Sequence, residues 1–172
     1  MKSLTKTARG FTLIEILVVI GIIAILAAIV IIAINPARQF AQARNSQRTS
    51  NVNAILNGVG QFLADNKGVL PPAVNALAVN TPAAIGTGVG GANICAVLVP
   101  TYMPSLTVDP LTDPDGAGAL GVGEAVPAAS CGNATDIGYT IARDATNRVT
   151  VCELPASIEA SIPGSTLICV QR

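Results

Sequence analysis

Glu15 stands where a carboxylate is costly. It lies near the start of the apolar run FTLIEILVVIGIIAILAAIVIIAI, residues 11–34. A charge within a membrane costs about 2.5–3.5 kcal/mol at the centre of a span and less near its end, and it marks a function with a partner. A second group is the four cysteines Cys95, Cys131, Cys152 and Cys169, all in the C-terminal half. Their even number and wide spacing suit two disulfides better than paired metal ligands, and so imply an oxidising compartment. Four reduced thiols in a cytosolic protein are the alternative. A third group is Asp109, Asp113 and Asp115 in DPLTDPDG, residues 109–116. Calcium takes about six to eight oxygen ligands, and a rigid acidic loop supplies some of them. The spacing is not that of an EF-hand, so a solvated turn competes with a calcium site. The chain has no histidine, which excludes imidazole as base or ligand. It also lacks a phosphate-binding Gly-Lys-Ser/Thr loop, so no enzyme is expected.

The elements that position these residues begin with the apolar run itself. At about 1.5 Å per residue, residues 11–34 extend roughly 36 Å as a helix, enough to cross a bilayer. Residues 16–34 carry no charge. Helix is the state a lone span must adopt, because every backbone group in lipid needs an internal partner. A secretory signal peptide is shorter and is cut after its apolar run. A plain anchor fits the length but gives Glu15 no purpose.

Lys2, Lys6 and Arg9 precede the run, and Gly10-Phe11-Thr12-Leu13-Ile14-Glu15 opens it. This string resembles the type IV prepilin signature, shared by type IV pilins and type II secretion pseudopilins. The resemblance covers residues 1 to roughly 66 well and the rest loosely. It implies a leader, residues 1–10, removed after Gly10 by a prepilin peptidase that also N-methylates Phe11. It implies that the apolar helix is kept and drives assembly. In that setting the new ammonium of Phe11 on one subunit can pair with Glu15 of a staggered neighbour. Such a pair offsets a buried charge only with good geometry, and it would select one axial register, as a polar residue does in a coiled coil. Glu15 lying at headgroup level is the plainer alternative.

The basic cluster before the span is denser than Arg38, Arg44 and Arg48 after it, which favours a cytoplasmic N-terminus. The cysteines beyond the span favour the same orientation, with the remainder extracytoplasmic. Pro36 either kinks the helix or opens a second one. Residues 37–50 are polar nearly all round, and their arginines suit anionic lipid or a contact between subunits. Val52, Ile55, Leu56, Val59, Phe62 and Leu63 then line one face of an amphipathic helix over residues 35–66. Gly58 and Gly60 would admit a closely packed sheet. Asn66-Lys67-Gly68 reads as the helix stop.

Residues 67–172 form the expected head. Residues 73–93 read as a surface connection with little fixed structure, and residues 94–103 as a short helix. Residues 139–143 and 148–152 alternate around 144–147, the pattern of a hairpin, and residues 166–170 read as a third strand. The fold class is thus α+β: a long hydrophobic helix continuing into an amphipathic helix on a small antiparallel sheet. Cys152 ends the second hairpin strand and Cys169 lies in the last strand. If those strands are neighbours, the pairs are Cys95–Cys131 and Cys152–Cys169, one of three possible connectivities. Asn133-Ala134-Thr135 matches a glycosylation sequon that is common by chance.

Outside the leader, seven basic residues face ten acidic ones, so nucleic acid is not an expected partner. The expected partners are copies of this chain and related pilins, the prepilin peptidase, and the inner membrane. The expected function is a filament subunit of a pilus or pseudopilus. The competing reading is a singly anchored extracytoplasmic binding module.

Overall fold

Thr12 begins the ordered helix because its side chain answers a backbone donor left open by the first turn. The computed structural model describes residues 10–116, 118 and 120–172, and the basic residues Lys2, Lys6 and Arg9 of the expected leader lie outside them. Helix α1, Leu13–Ala33, has Thr12 as N-cap. Its window Leu13–Ile31 has a mean hydropathy of 3.2 and no part buried by the rest of the chain. By length and composition it can cross a membrane. It ends at Ile34, which is extended and donates its N–H to the Val30 carbonyl. Asn35 then accepts the Arg38 N–H on its side chain at 3.2 Å, and Pro36 opens helix α2, Pro36–Asp65. Proline at a first helical turn loses no hydrogen bond. The two helices are therefore separate elements, each with its own start.

The chain forms two units, residues up to Gln39 and Phe40–Arg172. In the second, α2 buries Val52, Ile55, Leu56 and Val59, the stripe set by its apolar spacing. Helix α2 stops as expected: Lys67 and Gly68 take positive φ, and the Gly68 N–H bonds the Leu63 carbonyl. Gly58 lies against Leu98 and Met103 rather than a sheet, and a Cβ there would sit 3.6 Å from each, while Gly60 faces open space. Neither glycine is needed for a close helix–sheet approach.

The sheet has four antiparallel strands in the order β1-β4-β5-β6, one more than the sequence pattern suggested. Strand β1 is Ala83–Ala84, β4 Tyr139–Arg143, β5 Val149–Glu153 and β6 Cys169–Gln171. The β4–β5 hairpin pairs Tyr139 with Glu153 and Ile141 with Val151. Tyr139, Ile141, Val149 and Val151 share one core with the buried face of α2. Strands β2, Ser105–Leu106, and β3, Val126–Pro127, form a separate ladder.

Residues 73–93 correct the expectation of a loose connection. They take in most of helix α3, Pro72–Asn75, and all of β1, and they bury Ile85 and Ala92 completely. The segment is poor in large apolar residues, so the pattern was quiet. It is held instead by backbone pairing, with the Ile85 N–H on the Tyr139 carbonyl and the Thr87 N–H on that of Ala134. The helix expected over residues 94–103 is a single turn, α4, Cys95–Leu98.

Candidate functional site

Two polar constellations stand out, one at the start of α1 and one on α2. At the start of α1, the Glu15 N–H donates to the Thr12 hydroxyl at 3.3 Å. In return one Glu15 oxygen, Oε2, accepts the Thr12 backbone N–H at 2.8 Å and the Thr12 hydroxyl at 2.8 Å. This is a capping box, which satisfies two donors reciprocally. Glu15 therefore has a local structural role as well as any role in assembly. The Thr-x-x-Glu spacing carries that signal in the sequence, and Thr12 is the residue it adds. Phe11 is exposed and lies immediately before the cap. A cut between Gly10 and Phe11 would leave the box intact, because neither residue takes part in it.

The second constellation was not legible from spacing. Arg48, on α2, is fully buried. Its Nε donates to Asp109 at 2.5 Å, and its Nη1 donates to Glu159 at 2.8 Å and to Asn45 at 3.1 Å. Glu153 of β5 lies 3.5 Å from the same guanidinium. Arg44, one turn earlier, makes a bidentate pair with Glu159, both bonds 2.6 Å. Beside them Asn51 donates to the Val108 carbonyl and to the buried Tyr139 hydroxyl. Neither lipid nor a neighbouring subunit is needed to explain Arg44 and Arg48. They fasten α2 to the loop carrying Asp109, to β5 and to the segment at Glu159. Three carboxylates share two guanidinium groups, and the electrostatics follow. The Arg44 hydrogen bonds hold Glu159 down to about 2, with Arg48 adding to the effect. Burial pushes Glu153 above the ordinary carboxylate range, and its Oε2 accepts no hydrogen bond.

Of the acidic set considered for calcium, Asp109 is paired with the guanidinium of Arg48. Asp115 accepts the N–H groups of Gly118 and Leu120 at 3.0 Å each, and Asp113 has one buried oxygen, Oδ1, without a hydrogen-bond partner. Among the described residues no three acidic or thiol groups are gathered as metal ligands.

The cysteines are bridged as Cys95–Cys131 and Cys152–Cys169. The second bridge joins directly opposed residues of β5 and β6. The first ties the α4 turn to the segment following β3.

Residues 5–31 match the family model described as the prokaryotic N-terminal methylation motif. No curated protein and no solved structure matches the chain. The motif supports the type IV pilin and pseudopilin family, whose members are structural rather than enzymatic. The apolar span found among the described residues and the disulfide-bonded head are consistent with a pilin-like structural subunit.

Proposed function

We propose that this chain is a filament subunit of a type IV pilus or a type II secretion pseudopilus, cut after Gly10 and N-methylated at Phe11. The observation that carries the reading is the junction itself. A cleavable Gly10–Phe11 bond stands directly before the capping box of a charge-poor helix, and that helix would be retained by the mature protein. The N-terminus would be cytoplasmic, with the bridged head on the far side of the inner membrane before assembly.

In the filament, the Phe11 ammonium of one subunit would approach Glu15 of its neighbour. Both intrahelical bonds of Glu15 end on Oε2. Among the described residues Oε1 takes no hydrogen bond, so an incoming ammonium need not break the cap. Charge-assisted bonds of this kind are about twice as strong as neutral ones. The pairing would neutralise a carboxylate in lipid surroundings and fix the axial stagger. Mass spectrometry of the mature N-terminus tests the proposal. A methylated Phe11 is expected, whereas a terminus downstream of Ile34 would leave an ordinary secreted domain.

A further inference from the structure

Phe40 is the exposed aromatic of the Phe40–Arg172 unit: it is 66% exposed, whereas Tyr139 is buried and Phe62 packs edge-on against Tyr102. It projects from α2 next to Ala41, which is fully buried. Farther along the same helix, a groove of about 410 Å³ runs between α2 and β5. Leu56, Val59, Gly60 and Leu63 line it on the helix side, with Val149 and Arg172 opposite. Asn57 and Gln61 complete its rim, so the helix carries an aromatic knob and a largely apolar groove.

Phe40 cannot fill its own groove, since Gly60 lies about 30 Å farther along the helix axis at about 1.5 Å per residue. On an ideal helix Gly60 is also about 200° round from Phe40. That angle selects the arrangement of the partner. Two parallel helices lying side by side present opposite faces to each other. A knob and hole roughly half a turn apart therefore meet when one copy is slid along the other. The same two features would miss in a twofold dimer. The contact is heterologous, so it leaves a free knob and a free hole and propagates into a filament.

Two features of α2 fit such a neighbour. The charged side chains between Phe40 and Ala64 are Arg44 and Arg48, and both are spent on carboxylates of the head. The outer face, with residues such as Gln47, Ser50 and Asn57, therefore brings no charge to be desolvated. At the groove, Arg172 is held by Asn57 and Asn53, and a guanidinium so placed attracts the face of an aromatic ring.

We infer that Phe40 of one copy seats in the α2–β5 groove of a second, parallel copy displaced by about 30 Å along the helix axis. This rests on the filament reading, in which membrane insertion of α1 makes all copies parallel. It adds a contact between the α2 helices, distinct from the one at Glu15.

Cysteine pairs in full-length chains assembled in cells test it. All native cysteines are bridged, so new thiols are the free ones. Filaments of the Phe40→Cys/Gly60→Cys double variant should oxidise to a ladder of multimers that reductant collapses. The Phe40→Cys/Ser46→Cys pair, which is out of register, should give no ladder. Gly60→Phe, where an added Cβ meets nothing within 4 Å, should plug the groove without unfolding the head. It and Phe40→Ala should each lower filament yield roughly tenfold or more, the scale set by one buried aromatic, while Phe40→Leu retains most of it. Assembled filaments without the ladder, equal linking by the out-of-register pair, or near-normal yield from both Gly60→Phe and Phe40→Ala would overturn the inference and leave the filament reading standing. Absence of filaments from the unsubstituted chain would overturn both.

Discussion

Arg48 shows how much one side chain can be asked to hold. Its removal leaves Asp109 and Glu153 buried without their main counter-charge, and breaking a buried pair typically costs about 3–5 kcal/mol. Arg48→Met should therefore lower head stability by an amount in that range in denaturant unfolding. Replacing the whole cluster with apolar residues need not. The acids titrate in opposite senses. Glu159 is depressed from 4.5 to about 2, so its contribution is present above pH 4.5 and is lost as pH falls toward 2. Glu153 is raised, so the folded state holds its proton longer than the unfolded chain. Stability linked to Glu153 is then fully present below the unfolded pKa and declines as pH rises through the folded one. Glu153→Gln keeps an acceptor for the Ile168 N–H, a 3.0 Å bond in the structure, and removes the ionisation. That variant should be at least as stable as the parent at pH 8, with a flatter profile above pH 4.5. A steeper loss of stability with rising pH would contradict this assignment.

At the scale of elements, short strands succeed here because loops and bridges hold them. Gly86 follows β1 and lies so close to the next segment that an added Cβ would fall 2.2 Å from the Thr135 carbonyl oxygen. Backbone cannot yield as a side-chain tip does, so Gly86→Ala should shift the segment off β4 and lower the unfolding midpoint. Gly60→Ala, at an open position, serves as the control and should not. Strand β6 is three residues long and lies at the sheet edge, yet Cys152–Cys169 bonds it to β5 across a separation of 17 residues. A loop of that size corresponds to about 3 kcal/mol in the chain-entropy model. The Cys152→Ser/Cys169→Ser double variant should lose stability on that scale. Hydrogen exchange should rise first at Val149 and Val151, whose ladder partners lie in the C-terminal residues.

At the scale of the whole molecule, the membrane-competent helix and the core belong to different units. All the buried residues of α2 lie at Ala41 or beyond. A chain beginning at Pro36 should therefore fold as a soluble head with both disulfides, unfold cooperatively, and form no filaments. Retained assembly by that fragment would place polymerisation outside α1. In the full chain, Glu15→Gln keeps a capping acceptor but loses the charge. It should give cleaved, membrane-inserted subunits that assemble poorly, as measured by membrane fractionation against filament yield. Normal yield would show that charge at Glu15 does not set the stagger.

The apolar helix, the buried stripe of α2 and the stop of α2 were legible because their physics is local. An uninterrupted apolar run has one stable state in lipid, the stripe from Val52 to Val59 follows the helical period, and Asn66-Lys67-Gly68 ends the helix by its own backbone preferences. The hairpin around Asp144 was legible for the same reason. The cysteine pairing followed once Cys152 and Cys169 were placed on neighbouring strands. The rest depended on contacts between distant residues. Residues 73–93 have no apolar period, and their order comes from backbone partners some fifty residues away. Arg44 and Arg48 read as arginines for anionic lipid or for a contact between subunits, and Asp109 as one acid of a loop. Only the fold brings them together, because a buried charge is tolerated when opposite charges from other elements meet it, and no spacing within one element can report that meeting.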